Sequence, residues 1–227
     1  MLTLDRASMV LYPNPAGNDP RILVPGMTQE DSDKILKYAK DGGFHMYWGS
    51  RMSEYFWANR EISKFKGPLK VIDLGSGASP WPHFVMDTHP GSQVDAVDQI
   101  GAGVEDCHGR GRPQFKAKMC LCGVEAYVPM AGYNVITAVS SIEHFSEGAK
   151  IAVAKMIRGL PTGGMVIVTI EMQMGPKRIA ESMPHADVTR TLCLRPEDTT
   201  WILNEAKRLS LVNAHAIAMI SGTTIRG

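Results

Sequence analysis

The chain has 227 residues, and its 24 Lys and Arg residues against 23 Asp and Glu residues give a formal net charge of +1. With 44% hydrophobic and 21% charged residues, the composition excludes a disordered chain, and the near-zero net charge gives no support to a general nucleic-acid binder. Four cysteines are too few for a disulfide framework in a chain of this size, and the Cys120-x-Cys122 spacing lacks the paired C-x-x-C of a strong zinc site. The sequence shows no signal peptide and no apolar run of roughly 20 residues. We therefore expect a soluble, cytoplasmic protein with reduced thiols and no metal.

The N-terminal part of the chain combines proline-rich sequence with one clear helix signal. Prolines interrupt residues 1–27, which we expect to be irregular. Thr28 is typical of a helix N-cap, acidic residues follow it, and Gly42-Gly43 ends the helical pattern. Residues 44–65 hold seven of the sixteen aromatic residues, which predicts a helix packed onto a core and is compatible with a lid over a ligand.

From residue 69 onward, short apolar segments alternate with helical patterns. The predicted strands cover residues 69–74, 93–98, 114–119, 134–139, 164–170 and 211–220. Helices are predicted at 81–88, at 147–158 and from Pro196 to about Leu209. Apolar, β-branched strands that alternate with helices are typical of a doubly wound, mostly parallel sheet that is covered on both faces.

The most informative segment is VIDLGSGASP, residues 71–80, where the first of these strands turns into a helix. Its glycines let the backbone approach a ligand closely, and such a turn lies at the carboxyl ends of the strands, where ligands bind. A side chain at Gly75 or Gly77 is expected to point into the ligand's volume. Asp98 ends the second strand, 21 residues after Gly77, and suits a carboxylate that binds two ribose hydroxyls.

Two cofactors use this geometry, and two residues separate them. A dinucleotide fingerprint requires a small third residue in G-x-G-x-x-G, but that position is Pro80 here. Asp73, two residues before the first glycine, would repel a pyrophosphate but suits a cofactor with a cationic amino end. These residues favour S-adenosylmethionine and leave NAD as the second interpretation.

At these motifs the chain resembles the class I S-adenosylmethionine-dependent methyltransferases, over roughly residues 44–220. Residues 71–80 are similar to the first motif of the family, and VDAVD, ending at Asp98, is similar to its ribose-binding strand. Residues 123–129 look like the stretch that lines the adenine. Residues 140–145, SSIEHF, look like the S-x-x-E-H pattern that is common among members acting on small molecules.

The resemblance implies a Rossmann-like, doubly wound α/β fold, with a mostly parallel sheet of six or seven strands and helices on both faces. It divides the chain into an N-terminal extension and helical lid at residues 1–66 and an S-adenosylmethionine-binding methyltransferase domain at residues 67–227. Because the sequence ends at Gly227, we expect little room for the seventh, antiparallel strand that normally closes such a sheet.

The resemblance also implies roles for individual residues. Arg51 resembles the arginine of a Y-W-x-x-R lead-in and is expected to pair with the cofactor's carboxylate or to be an ordinary solvated arginine. Val124 stands where the family usually has an adenine-binding Asp, so that Glu125 or a backbone amide would have to serve. The expected cofactor-binding residues are Arg51, Asp73, Gly75, Ser76, Gly77, Asp98, Gln99, Val124, Glu125 and Ser140.

His144 is the candidate general base, because the resemblance places it near the methyl group. A residue at a helix N-terminus with no catalytic duty is the alternative. The activity implied is methyl transfer by in-line displacement at a sulfonium, to an unidentified small-molecule acceptor, which requires alignment and exclusion of water. Two alternatives stay open, namely an RNA methyltransferase of the cap guanine-N7 type, such as the viral enzymes, and a catalytically degenerate cofactor-binding partner subunit.

Overall fold

A computed structural model describes residues 2–13, 26–42, 50–99, 117–173, 183–194 and 215–226, together with residues 197, 200, 201, 204, 205 and 208. The strands are β1 (Leu2–Pro13), β2 (Lys70–Leu74), β3 (Gln93–Asp98), β4 (Lys118–Leu121), β5 (Val135–Val139), β6 (Met165–Gln173), β7 (Met183–Pro184) and β8 (His215–Arg226). The helices are α1 (Gln29–Gly42), α2 (Ser50–Ile62), α3 (Trp81–Thr88), α4 (Glu147–Gly159) and α5 (His185–Leu192), with a 3-10 turn at Ile142–His144. None of the described helices is long and apolar enough to cross a membrane.

The strands form one sheet in the order β1-β8-β6-β5-β2-β3-β4, and the short β7 pairs with β6. Strands β2, β3, β4, β5 and β6 pair in parallel with their neighbours in this order. Strand β8 runs antiparallel to both β6 and β1. The predicted doubly wound, mostly parallel sheet is therefore confirmed, but it has eight strands rather than the six or seven expected, because β1 and the short β7 were not predicted. Strand β2 is the switch point, because β3 lies on one side of it and β5 on the other.

Helices cover both faces of the sheet, as predicted. Because successive strand residues point to opposite faces, Val71 and Ile72 of β2 belong to different apolar clusters. Val71 packs in the cluster that includes α1, α2 and α3, whereas Ile72 packs in the cluster that includes α4 and α5. Burial on both faces explains why the central strands are continuously apolar.

The helix predicted after Thr28 is confirmed, and so is its cap. The hydroxyl of Thr28 accepts a hydrogen bond from the backbone N–H of Asp31, and the carboxylate of Asp31 accepts one from the N–H of Thr28. In the aromatic segment, Trp57 of α2 is fully buried, which confirms helical packing onto a core. The part of that segment at residues 43–49 lies outside the described residues.

The prediction that the N-terminus is irregular is wrong for residues 2–13. These residues form β1, which pairs antiparallel with β8 from Leu2, opposite Arg226, to Pro13, opposite Ala216. The prolines all fall at residue 13 or later, and the sequence before them, LTLDRASMVLY, has no residue that breaks a strand. Residues 14–25 lie outside the described residues.

The prediction of little room for an antiparallel strand at the C-terminus is also wrong. Strand β8 is 12 residues long, extends past the predicted end at residue 220, and fills the antiparallel position beside β6. The edge position beyond it is taken by β1 from the other end of the chain. The two ends of the chain therefore complete the sheet together.

The other predicted strands and helices are present in the structure, although some of them begin or end at different residues. The third predicted strand, 114–119, is β4 at Lys118–Leu121, and residues 114–116 lie outside the described residues. The described residues between 197 and 208 are helical, as predicted. The division of the chain between residues 66 and 67 stays a prediction.

Candidate active site

The glycine-rich turn joins β2 to α3 at the carboxyl edge of the sheet. The backbone N–H groups of Gly75 and Ser76 donate to the carbonyl of Val97, at 2.8 and 3.1 Å. The N–H of Gly77 donates to the carboxylate of Asp98, with N to Oδ2 at 2.6 Å. These bonds tie the turn to the end of β3. Gly75 and Gly77 have φ values of 69° and 49°, in the region that favours glycine, which explains the residue type at both positions.

A cavity of about 470 Å³ opens above this turn, within the usual size range of small-molecule sites. Its walls come from the residues that follow β2, β3, β4 and β5, and from the start of α4. The lining residues are Gly75, Asp98, Gln99, Gly123, Val124, Glu125, Ser140, Ser141, His144, Phe145, Ser146 and Ala149. The structure thus brings together seven of the predicted site residues, which are Gly75, Asp98, Gln99, Val124, Glu125, Ser140 and His144.

Asp73 lies beneath the turn and does not line the cavity. It is buried, and its carboxylate accepts a hydrogen bond from the Thr137 hydroxyl at 2.7 Å. The indole N–H of Trp81 donates to the same hydroxyl at 3.2 Å. Burial raises the pKa of Asp73 to about 7, the Thr137 hydrogen bond acts against this, and the nearby charge of Asp98 adds to it.

Ser76 and Gly77 also stand behind the cavity wall rather than in it. The Ser76 hydroxyl is buried and has no hydrogen-bond partner among the described residues. A buried hydroxyl without a partner is unfavourable, and here it is next to Gly75, which lines the cavity. The described part of the protein therefore leaves this polar group of the turn without a partner, beside a residue that lines the cavity.

Arg51 projects from α2 toward the end of β5. Its guanidinium donates to both carboxylate oxygens of Glu54, at 3.1 and 2.9 Å, and lies 3.5 Å from the carbonyl oxygen of Ser140. Its side chain is only 15% exposed, so the alternative of an ordinary solvated arginine is wrong.

Residues 123–125, which follow β4, form another wall of the cavity. Val124 is buried and presents an apolar surface, whereas Glu125 is exposed. The Ser146 hydroxyl donates to Glu125 at 2.5 Å, and this bond lowers the pKa of the Glu125 carboxyl. The hydroxyl of Tyr127 donates to buried Asp95 at 2.7 Å, which anchors the stretch to β3.

His144 ends the 3-10 turn after β5, is exposed, and lines the cavity. Its role as a general base stays a prediction. The described residues contain no group of three or more His, Cys, Asp or Glu side chains that could hold a metal ion. Cys120, Cys122 and Cys193 are free thiols, whereas Cys107 lies outside the described part of the chain.

Sequence reasoning missed several polar residues around the site. Thr137 and Thr169 are polar residues inside otherwise apolar strands, VITAV and MVIVTI, and that interruption is the signal that could have marked them. Glu54 gave a weaker signal, as an acidic residue in an aromatic-rich helix. Tyr55 fixes the turn, because its hydroxyl lies 2.7 Å from that of Ser79 and its ring stacks on Trp81.

No family model matches the sequence, and no curated protein matches it. Solved structures do match. Geranyl diphosphate methyltransferase, in complex with GPP and sinefungin, has a TM-score of 0.59 at 11% identity, with 83% of this chain and 93% of that chain covered. The plantazolicin methyltransferase BpumL, in a complex with SAH, has a TM-score of 0.51 at 13% identity, with 86% and 92% covered.

A third match, Haemonchus contortus phosphoethanolamine N-methyltransferase 2 in complex with S-adenosyl-L-methionine, has a TM-score of 0.49 at 12% identity. It covers 74% of this chain and 51% of that chain, so this chain spans about half of that protein's length. The likeness to the first two structures shows that the chain has the fold of the class I S-adenosylmethionine-dependent methyltransferases.

The two glycines of the turn differ in their surroundings. This difference corrects the expectation that a side chain at Gly75 would point into the ligand's volume. A Cβ at Gly75 would lie 2.5 Å from the Cβ of Ser141 and 3.0 Å from the ring of Phe145, so it would strike protein rather than point only into the ligand's volume. At Gly77 the nearest atom is a carboxylate oxygen of Asp98, at 3.9 Å.

We therefore expect Gly75→Ala to destabilise the protein more than Gly77→Ala. Both substitutions force alanine into a left-handed backbone, which costs about 1–2 kcal/mol. Gly75→Ala adds the cost of overpacking, about 1–3 kcal/mol. Urea denaturation measures both losses in the free energy of unfolding. Equal losses would contradict the predicted clash with Ser141, and the double substitution Gly75→Ala with Ser141→Gly should recover part of the difference.

Proposed function

We propose that the chain is an S-adenosylmethionine-dependent methyltransferase that acts on a small-molecule acceptor. The observation that carries this proposal is the meeting of the glycine-rich turn with Asp98 beneath a cavity at the switch point of the sheet. The cavity is the place where a doubly wound sheet binds ligands, and the acid stands where a ribose would be bound.

The order of the strands fixes how the cofactor would lie. Along the sheet edge, Ser140 follows β5, Gly75 follows β2, Asp98 ends β3, and Val124 comes after β4. With the ribose at Asp98, the adenine would lie toward Val124 and the amino-acid end toward Ser140 and Arg51. The apolar surface of Val124 suits a flat aromatic ring, and the partnerless hydroxyl of Ser76 suits the polar amino-acid end.

Three side chains of the protein would contribute to the transfer, each in a limited way. Bound S-adenosylmethionine would supply a methyl group that is already activated on a positively charged sulfur, so the protein mainly aligns the acceptor and excludes water. Asp98 would accept hydrogen bonds from the ribose hydroxyls. Asp73, beneath the turn, favours a cationic ligand group by its charge when it is ionised. His144, at the mouth of the cavity, would remove a proton from an acceptor that requires a base.

A small-molecule acceptor is supported by the charge of the chain, because a net charge of +1 gives no general attraction to RNA. The small number of cysteines supports a location in the reducing cytoplasm.

The direct test of this proposal is calorimetric titration with S-adenosylhomocysteine and with NAD. We expect S-adenosylhomocysteine to bind and NAD not to bind, because of Asp73 and Pro80. Transfer of a labelled methyl group to a metabolite extract, and not to capped RNA, would then support the small-molecule acceptor. Tight binding of NAD with no response to S-adenosylhomocysteine would overturn the cofactor, and labelling of RNA alone would overturn the acceptor class.

Replacing Asp98 by Ala should weaken the binding of S-adenosylhomocysteine by about tenfold to hundredfold. The reason is the loss of charge-assisted hydrogen bonding to the ribose, worth roughly 1.5–3 kcal/mol in total, which is the value of one hydrogen bond to a charged group. Calorimetry measures the loss. Glu205→Ala removes a carboxylate far along the chain, and it is the control that should leave the affinity unchanged. An Asp98→Ala protein that binds within twofold of the wild type would show that the acid does not hold the ribose.

The affinity for S-adenosylhomocysteine should rise by about tenfold between about pH 6 and about pH 8. The pKa of Asp73 is about 7, so its carboxylate ionises over this interval and then attracts the ligand's ammonium group. The stability of the ligand-free protein should change in the opposite direction. Since the folded pKa exceeds the ordinary value of 3.8, the stabilisation from protonated Asp73 is complete below that value and is lost as the pH rises through about 7.

The control for this prediction is Asp73→Asn, which keeps the shape of the side chain but cannot ionise. Its affinity should be lower at high pH and flat across the same interval. A rise of equal size in the variant would assign the pH dependence to another group.

A further inference from the structure

Glu54 of α2 is a fully buried carboxylate in the wall behind the cavity. It accepts hydrogen bonds from the guanidinium of Arg51, at 3.1 and 2.9 Å, and from the hydroxyls of Ser140 at 2.6 Å and Thr169 at 2.5 Å. A buried charge is tolerated only when it is paired and hydrogen-bonded, and this set of donors meets both conditions. Glu54 therefore joins α2 to the ends of β5 and β6.

One of these donors has an unusual backbone. Ser140 has a φ of 43°, in the left-handed region that side chains other than glycine rarely adopt, and it lines the cavity. Its N–H donates to the carbonyl and hydroxyl oxygens of Thr169, at 2.9 and 3.0 Å. Such a conformation persists only when the surroundings hold it, and it is typical of functional sites. Glu54 holds the side chain of Ser140, while Thr169 holds its backbone.

Glu54 also holds the guanidinium of Arg51. Both carboxylate oxygens of Glu54 accept from Nη1 of Arg51, while Nη2 lies 3.5 Å from the carbonyl oxygen of Ser140. A guanidinium presents its donors in a rigid plane, so fixing one nitrogen fixes the direction of the others. The carboxylate thus orients Arg51 toward Ser140, which lines the cavity, whereas Arg51 itself does not line it.

We propose that Glu54 is a positioning residue for the amino-acid end of the cofactor, acting through Ser140 and Arg51. This inference rests on the proposed function, because it assumes that S-adenosylmethionine occupies the cavity. The nucleoside end, at Asp98 and Val124, lies across β2 from Ser140, and Glu54 does not act on it.

The same helix supplies a matched control. Glu61 is also buried and accepts from a cation three residues away, Lys64, at 2.6 Å, and from a hydroxyl on the sheet, that of Ser221, at 2.8 Å. Neither Glu61 nor Ser221 lines the cavity. Glu54→Gln and Glu61→Gln therefore remove equivalent charges at equivalent depth, and only the first removes one beside the site.

The experiment titrates wild type, Glu54→Gln and Glu61→Gln with two ligands. S-adenosylhomocysteine has the amino-acid group, whereas 5′-methylthioadenosine has the nucleoside and sulfur without it. We expect Glu54→Gln to lose about tenfold or more in affinity for S-adenosylhomocysteine and to bind 5′-methylthioadenosine within about twofold of wild type. Glu61→Gln should bind both ligands as wild type does, although both variants lower the melting temperature.

Thr169→Val is a second test. It keeps the charge of Glu54 and removes one donor to it, together with one of the two acceptors of the Ser140 N–H, from a side chain that does not line the cavity. We expect a smaller loss, again confined to S-adenosylhomocysteine, and Thr169→Ser should restore the affinity. Unchanged binding of S-adenosylhomocysteine in Glu54→Gln and Thr169→Val, or an equal loss for both ligands, would overturn the inference. A wild-type protein that binds neither ligand would instead overturn the proposed function, and this inference with it.

Discussion

The site depends on the position of β2, which is hydrogen-bonded to β3 on one side and to β5 on the other. Because the connections from these strands lead away in opposite directions, a crevice opens where their carboxyl ends meet. The glycine-rich turn fills the floor of that crevice only because its backbone adopts left-handed angles and because Asp98 accepts from the N–H of Gly77. The cavity is thus a consequence of strand order, and the turn gives it its shape.

Three buried carboxylates of α2 and β2 are stabilised in two different ways. Glu54 pairs with Arg51, and Glu61 pairs with Lys64, so each has a cation within hydrogen-bonding distance. Asp73 is bonded to the neutral hydroxyl of Thr137 instead, and burial raises its pKa to about 7. A cationic ligand group above the turn would supply the charge that favours the ionised form, which connects the electrostatics of the fold with the cofactor we propose.

The parts of the molecule that local patterns determine could be predicted from the sequence. The strands around VIDLGSG, the acid at Asp98 and the cap at Thr28 each depend on a few neighbouring residues, and the structure contains all of them. The pairing of β1 with β8 joins opposite ends of the chain, and no local pattern specifies such a partner. The bond between Glu54 and Thr169 spans 115 positions, so that neither residue alone predicts the other. The side chain that leaves no room for a Cβ at position 75 is that of Ser141, in the SSIEHF segment after β5, and neither motif by itself predicts that the two residues touch.

Helix α2 is bonded to the sheet through two buried carboxylates. Glu54 bonds to Thr169 of β6, and two turns further on Glu61 bonds to Ser221 of β8, so two buried carboxylates hold the helix in register against the sheet. Moving the helix away would leave both charges without their strand partners, at a cost of several kcal/mol for each. The proposed cofactor site therefore uses residues on both sides of the predicted division at residue 66, because Arg51 and Glu54 precede it whereas Ser140 and Thr169 follow it.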